Sequence, residues 1–146
     1  MSLARGHGDV LLVVAAGGAL GSLGRWAVGR ALPWDGAGFP WGTFVENVSG
    51  ALALGVIMVL LLELRPTSRY LRPFVGVGLL GGYTTFSAVM LETMSLMTGG
   101  DAATAVVYLG ATLVLGVLAV WTGVLAGGLV LRGVIGRGPG DGPDTR

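Results

Sequence analysis

Cysteine and lysine are both absent from this 146-residue chain, and histidine occurs once, at His7. Without cysteine there is no disulfide framework and the redox compartment stays unreadable. One histidine in a polar N-terminal tail cannot build a His/Cys cluster, which excludes a transition-metal site of the usual kind. Charge of either sign is scarce. Nine arginines against eight acids leave a net +1, with only 12% of residues charged, so nothing points to a nucleic-acid partner. What the chain has in excess is apolar surface. It is 53% hydrophobic, with a mean hydropathy of +0.78. That exceeds what a soluble core of this size can bury, and the class is therefore an all-α integral membrane protein.

Four apolar spans are predicted, Val10 to Leu32, Pro40 to Leu62, Leu71 to Met97 and Ala102 to Leu131. Each is near or above the roughly 20 residues that a transmembrane helix needs. The first is too long for a signal-peptide core and lacks a convincing small-residue cleavage site, so it is kept as structure. Trp34 and Trp41, in a Pro/Gly turn, and Tyr70, beside a proline-broken polar linker, suit a membrane interface. This organisation predicts one transmembrane domain over 1–131 and a disordered polar tail over 132–146. Glycine supplies 28 residues. At that density the GxxxG pairs Gly17/Gly21, Gly78/Gly82 and Gly123/Gly127 mean close helix packing at most. Gly76, Gly78 and Gly81 also spell GxGxxG, but with no preceding strand a dinucleotide site is discarded.

The third span is interrupted by GGYTTFS, Gly81 to Ser87. Paired glycines, paired threonines and a serine are poor helix-interior residues, and their polar groups compete with the helical ladder. A break over Gly81 to Thr85 is predicted, and such breaks are where membrane proteins place ion sites. The half-helix ending there offers carbonyls to a cation, and the one starting there offers amides to an anion. Ionisable residues inside spans are costly and therefore functional candidates. Arg25, Glu46 and Glu92 lie about 10, 9 and 8 Å from span ends that alternating helices bring to one side. They read either as a structural Arg/Glu pair or as an ion vestibule. Thr43 and Asn47 share one face of the second span, and Tyr108, Thr112 and Gly116 share one face of the fourth. With Thr84, Thr85 and Ser87 they either line a donor-rich pathway for a small anion or join helices to one another. The ring edge of Phe86 also suits an anion.

The segments GGALGSLGR (Gly17 to Arg25), WGTFVENVSGALALG (Trp41 to Gly55) and GLLGGYTTFS (Gly78 to Ser87), with Glu92, Tyr108 and Thr112, run in order through all four spans. Together they resemble the Fluc fluoride channels, also called the CrcB family. The resemblance implies a four-helix subunit with a broken third helix, assembled as an antiparallel, dual-topology dimer with two pores. It implies a structural Na⁺ on the carbonyls of Gly81 and Thr84, not itself transported. It implies a fluoride pathway along Thr43, Asn47, Phe86, Ser87, Tyr108 and Thr112, with Arg25, Glu46 and Glu92 as vestibule or structural charges. The expected physiology is release of cytosolic fluoride across the cell membrane, which lowers fluoride toxicity, and no enzymatic activity is expected.

The chain departs from that family pattern at three places. Val89 stands where a second phenylalanine is usual, Gly116 where a hydroxyl is often found, and Glu46 where an aliphatic residue is usual. The first two losses raise the alternative of a non-conducting partner subunit in a heterodimeric channel. A small four-helix multidrug exporter is a further alternative, although such exporters depend on an acid in the first helix, where this chain has Arg25. Arginine placement adds an orientation. Arg5, Arg65, Arg69, Arg72, Arg132, Arg137 and Arg146 fall on one side and Arg30 on the other, which predicts one-way insertion with both termini cytoplasmic. An antiparallel dimer then calls for an oppositely oriented homologous subunit, unless a homodimer forms despite the bias.

Overall fold

A computed structural model describes residues 8–63 and 68–135, so His7, the centre of the second linker and the tail beyond 135 lie outside the described residues. All regular structure among the described residues is helical: α1 (Gly8–Ala31), α2 (Trp41–Glu63), a π-helical turn (Pro73–Leu79), α3 (Leu80–Tyr83), α4 (Phe86–Thr98) and α5 (Ala102–Ile135). Four stretches are long and apolar enough to cross a membrane, the third being the composite Pro73–Thr98. The fourth span, α5, continues past the predicted end at Leu131 to Ile135, carrying Arg132 in its last turn. There a cation complements the helix dipole.

The glycine pairs explain how the bundle closes. A Cβ on Gly78 would lie 2.6 Å from the carbonyl oxygen of Val14, and one on Gly82 2.5 Å from that of Gly18. Gly17 and Gly21 meet the backbone of Phe74 and Leu79 in the same way, so the first two GxxxG pairs face each other across the contact of α1 with the third span. The remaining pair serves α2 and α5. A Cβ on Gly55 would sit 2.9 Å from Val124 N, and one on Gly127 3.0 Å from Val56 O. Backbone cannot retreat as a side-chain tip can, so only glycine permits these approaches.

The linkers hold specific geometry. Gly36 and Gly38 adopt positive φ of 97° and 66° between α1 and α2, a region closed to most side chains. Trp34, expected at the interface, is half-buried and donates from Nε1 to the Gly38 carbonyl at 3.1 Å, whereas Trp41 remains 58% exposed. Phe39 stacks edge-on against Tyr108 at 5.3 Å between centroids. Val89, Leu96, Ala105 and Tyr108 form a buried cluster beneath Trp34, Phe39 and Phe44, which brings the end of α4, the start of α5 and the start of α2 together. That is the shared end on which Arg25, Glu46 and Glu92 were expected. At the opposite end Asp9 accepts from the Tyr70 hydroxyl at 2.6 Å and pairs with Arg69 at 2.9 Å, tying the start of α1 to the entrance of the third span. The bond to Asp9 holds the Tyr70 phenol above its ordinary range.

The break falls within the predicted window but occupies only its last two residues. Gly81, Gly82 and Tyr83 are helical, and Thr84 N–H still reaches the Leu80 carbonyl at 2.9 Å. Thr84 (φ −86°, ψ 155°) and Thr85 (φ −149°, ψ 120°) are extended. Gly82 is needed for packing against α1, and the threonines make the break. Upstream, the π-helical turn carries an i to i−5 bond, Leu80 N–H to Val75 O. No residue pattern announced it, although π turns recur at functional sites.

Candidate ion pathway

The break is stapled from α2. Asn47 Nδ2 donates to the Thr85 carbonyl at 2.9 Å, and Asn47 Oδ1 accepts from the Thr85 amide at 2.8 Å. Thr85 then caps α4, its Oγ1 accepting from Ala88 N–H at 3.3 Å. These two bonds redirect the amides that an unbroken helix would send to the carbonyls of Gly81 and Thr84, since the ladder joins residue i to i−4. The two carbonyls expected to hold Na⁺ thereby lose their i+4 helical donors. Gly50, one turn beyond Asn47, makes the room: a Cβ there would press on Thr84 and come within 3.2 Å of Tyr83 Cδ1.

A second node joins three helices. Glu92 Oε1 accepts from Thr43 Oγ1 at 2.6 Å, and Glu92 Oε2 from the Tyr108 hydroxyl at 2.5 Å. Thr112 Oγ1 donates back to the Tyr108 carbonyl at 2.7 Å. The hydroxyl hydrogens of Thr43, Tyr108 and Thr112 are therefore engaged within the subunit. Asn47 retains one amide hydrogen, and the hydroxyl of Ser87 exchanges only a 3.2 Å contact with Thr85.

Most of the predicted site residues converge on two cavities that meet at Thr85. One, of about 230 Å³, is bounded by Asn47, Thr84, Thr85, Phe86, Val89, Thr112 and Leu113. The other, of about 370 Å³, is bounded by Arg25, Gly29, Thr43, Glu46, Thr85, Ser87, Ala88 and Leu91. Phe86 is 67% exposed on the outer face of the subunit. Tyr108 lines neither cavity. It is fully buried, its hydroxyl bonded to Glu92 and its carbonyl to the cavity-lining Thr112. A third cavity of about 310 Å³ lies on the far side of the break, where Gly81 and Thr84 meet Asn47, Gly50 and Leu54. Among the described residues no group of His, Cys, Asp and Glu gathers as a metal site.

The charges do not form the structural ion pair that was one reading of them. Arg69 with Asp9 is the ion pair found among the described residues, and Arg25 makes none with Glu46 or Glu92. Arg25 and Glu46 instead border the same open cavity. The sequence reading missed Thr85 as a cap, the Ser49 to Tyr83 hydroxyl contact at 3.0 Å, and the engagement of Thr43 with Glu92. Spacing gives no sign of the last two, because partners 34 and 49 residues apart meet only in the folded chain.

A broken membrane helix stapled by a neighbouring amide, with cavities on both sides of the break, defines a membrane protein with a candidate ion pathway. The chain belongs to the CrcB family: the family model described as CrcB-like protein, Camphor Resistance (CrcB), matches residues 12–124. It is 41% identical over 88% of its length to fluoride-specific ion channel FluC 1 of Streptomyces coelicolor, covering 83% of that protein. It is 47% identical to FluC 2 of Nocardia farcinica, with 81% of each chain covered. Against the FluC of Thermus thermophilus the identity is 42%, over 82% of this chain and 94% of the relative.

Proposed function

We propose that the chain is a subunit of a fluoride-specific ion channel in the cell membrane, through which cytosolic fluoride leaves the cell. The observation that carries the reading is the Asn47 staple on Thr85, at the junction of two cavities bordered by Phe86 and Thr112 on one side and Arg25, Thr43 and Ser87 on the other. An Asn47 N–H, the Ser87 hydroxyl and the ring edge of exposed Phe86 are the neutral groups offered to an anion. They can replace part of its hydration shell without holding it too tightly. Thr43, Tyr108 and Thr112 serve by fixing Glu92 and the cavity wall.

The antiparallel dimer and its Na⁺ belong to the same reading. The carbonyls of Gly81 and Thr84, both without their i+4 helical donors, are hard oxygen donors of the kind that Na⁺ prefers. Space for a Cβ on Gly81 is open, so an ion or a second subunit can approach. Bound there, the ion would supply positive charge that satisfies the freed carbonyls and steadies the break. Both termini are assigned to the cytoplasm on the arginine asymmetry. The transmembrane domain is taken as 1–131 in function, and the tail beyond 135 lies outside the described residues.

Purified chain in liposomes should release fluoride faster than protein-free liposomes, and absence of release would overturn the homodimeric channel. The second reading, a heterodimer with an oppositely oriented homologue in which one pore is closed, is favoured by Val89. That residue is 2% exposed and walls the cavity beside Phe86 with less bulk than the family's usual phenylalanine. Inactivity alone with activity on co-reconstitution would establish it. A multidrug exporter gains no support from a chain that belongs to the CrcB family.

A further inference from the structure

Glu46 is only 3% exposed, and among the described residues no hydrogen bond or ion pair engages its carboxylate, although the residue borders the cavity that Arg25, Thr43 and Ser87 also line. Its Oε1 lies 3.9 Å from the position that a Cβ on Gly29 would take, which sets the carboxylate against α1. The contrast with Glu92 is informative. Glu92 shares its charge with two hydroxyl donors, Thr43 and Tyr108, whereas Glu46 has none. A charge without local hydrogen bonds beside an open cavity acts on a passing ion over several ångströms.

We propose that Glu46 sets the throughput of the fluoride pathway: its negative charge, facing Arg25 across the vestibule, opposes entry of the anion, and its neutralisation speeds passage. The inference rests on the fluoride-channel reading. The charged and titratable groups around it are Arg25 from α1, Glu92 from α4, Tyr108 from α5 through its bond to Glu92, and Tyr83 from α3 through Ser49. With Arg25, Glu46 and Glu92 all ionised, the vestibule is net negative. With Glu46 neutral it is balanced, and Arg25 is free to attract an anion.

The test is fluoride release from liposomes containing wild type, Glu46→Gln, Glu46→Asp or Glu46→Leu, with equal pH on both sides, stepped from mildly acidic to mildly alkaline medium. Protein-free liposomes measure the leak of HF through lipid, and gel filtration of each variant checks assembly. In alkaline medium Glu46→Gln and Glu46→Leu should each release fluoride about threefold or more faster than wild type, the scale expected for removing one nearby charge. Glu46→Asp, which keeps the charge, should stay close to wild type. Glu46→Gln no faster than wild type overturns the role of Glu46 and leaves the channel intact. Acceleration in Glu46→Leu without Glu46→Gln assigns the effect to packing and overturns it equally. Wild type inactive at every pH overturns the homodimeric channel reading on which the proposal depends.

Discussion

Asn47 holds the peptide unit of Thr85 from both sides, donating to its carbonyl at 2.9 Å and accepting from its amide at 2.8 Å. Asn47 Oδ1 takes the place of the Gly81 carbonyl that the Thr85 amide would meet in an unbroken helix, so Asn47 is structural as well as a candidate ion contact. Asn47→Ala should therefore lower stability in detergent by about 1–3 kcal/mol as well as slowing fluoride release. Asn47→Asp keeps the acceptor for Thr85 N–H but loses the donor and adds charge, and it should impair both. Thermal unfolding monitored beside efflux checks this, and an Asn47→Ala protein as stable as wild type contradicts the staple.

Phe86 makes the opposite case. Its ring is 67% exposed and supports no buried cluster, so Phe86→Ile should leave the melting temperature of the isolated subunit nearly unchanged while reducing fluoride release. If efflux survives both this substitution and Asn47→Ala, the assigned pathway is wrong.

Glu92 joins α2, α4 and α5 through Thr43 and Tyr108. Tyr108→Phe removes one charge-assisted bond at a fully buried position, at an expected cost of about 1.5–3 kcal/mol. Thr43→Val removes the other. Because both bonds end on one carboxylate, the double variant should depart from additivity, which a double-mutant cycle in denaturant measures.

Glycine replacements should separate packing from propensity. Gly82→Ala forces a methyl against the Gly18 backbone and should destabilise by about 1–3 kcal/mol. At Gly110 nothing lies within 4 Å of a new Cβ, so Gly110→Ala should be neutral or stabilise by up to about 1 kcal/mol through helix propensity. Equal losses at both positions would remove the close-approach explanation.

Asp101 precedes α5 and accepts from Thr104 N–H at 3.1 Å, and its bonds to Thr104 hold its carboxyl below the usual carboxylate range. A depressed folded-state pKa adds stability that is complete above the unfolded value and is lost as pH falls through the folded one. Wild type should thus lose this increment only in acid, whereas Asp101→Ala should melt lower than wild type at neutral pH and converge on it as the medium is acidified. Melting curves across that range test the sign.

Hydropathy was enough to place four spans, because lipid demands long apolar helices, and the poor helix formers of GGYTTFS were enough to place a break in the third. GxxxG spacing read correctly as packing, yet it could not say that Gly17/Gly21 meets Gly78/Gly82 while Gly123/Gly127 meets the backbone near Gly55. Partner choice depends on how the helices cross. Within the break, residue types marked a window of five residues, and the fold confined the extended backbone to Thr84 and Thr85 because Asn47, 38 residues away, captures the Thr85 peptide. The polar stripes were legible from 3.6-residue periodicity, but which hydroxyl hydrogens remain for an ion was not. That was decided when Glu92 came within reach of Thr43 and Tyr108, since a hydroxyl has one hydrogen to give and only tertiary contact determines where it goes.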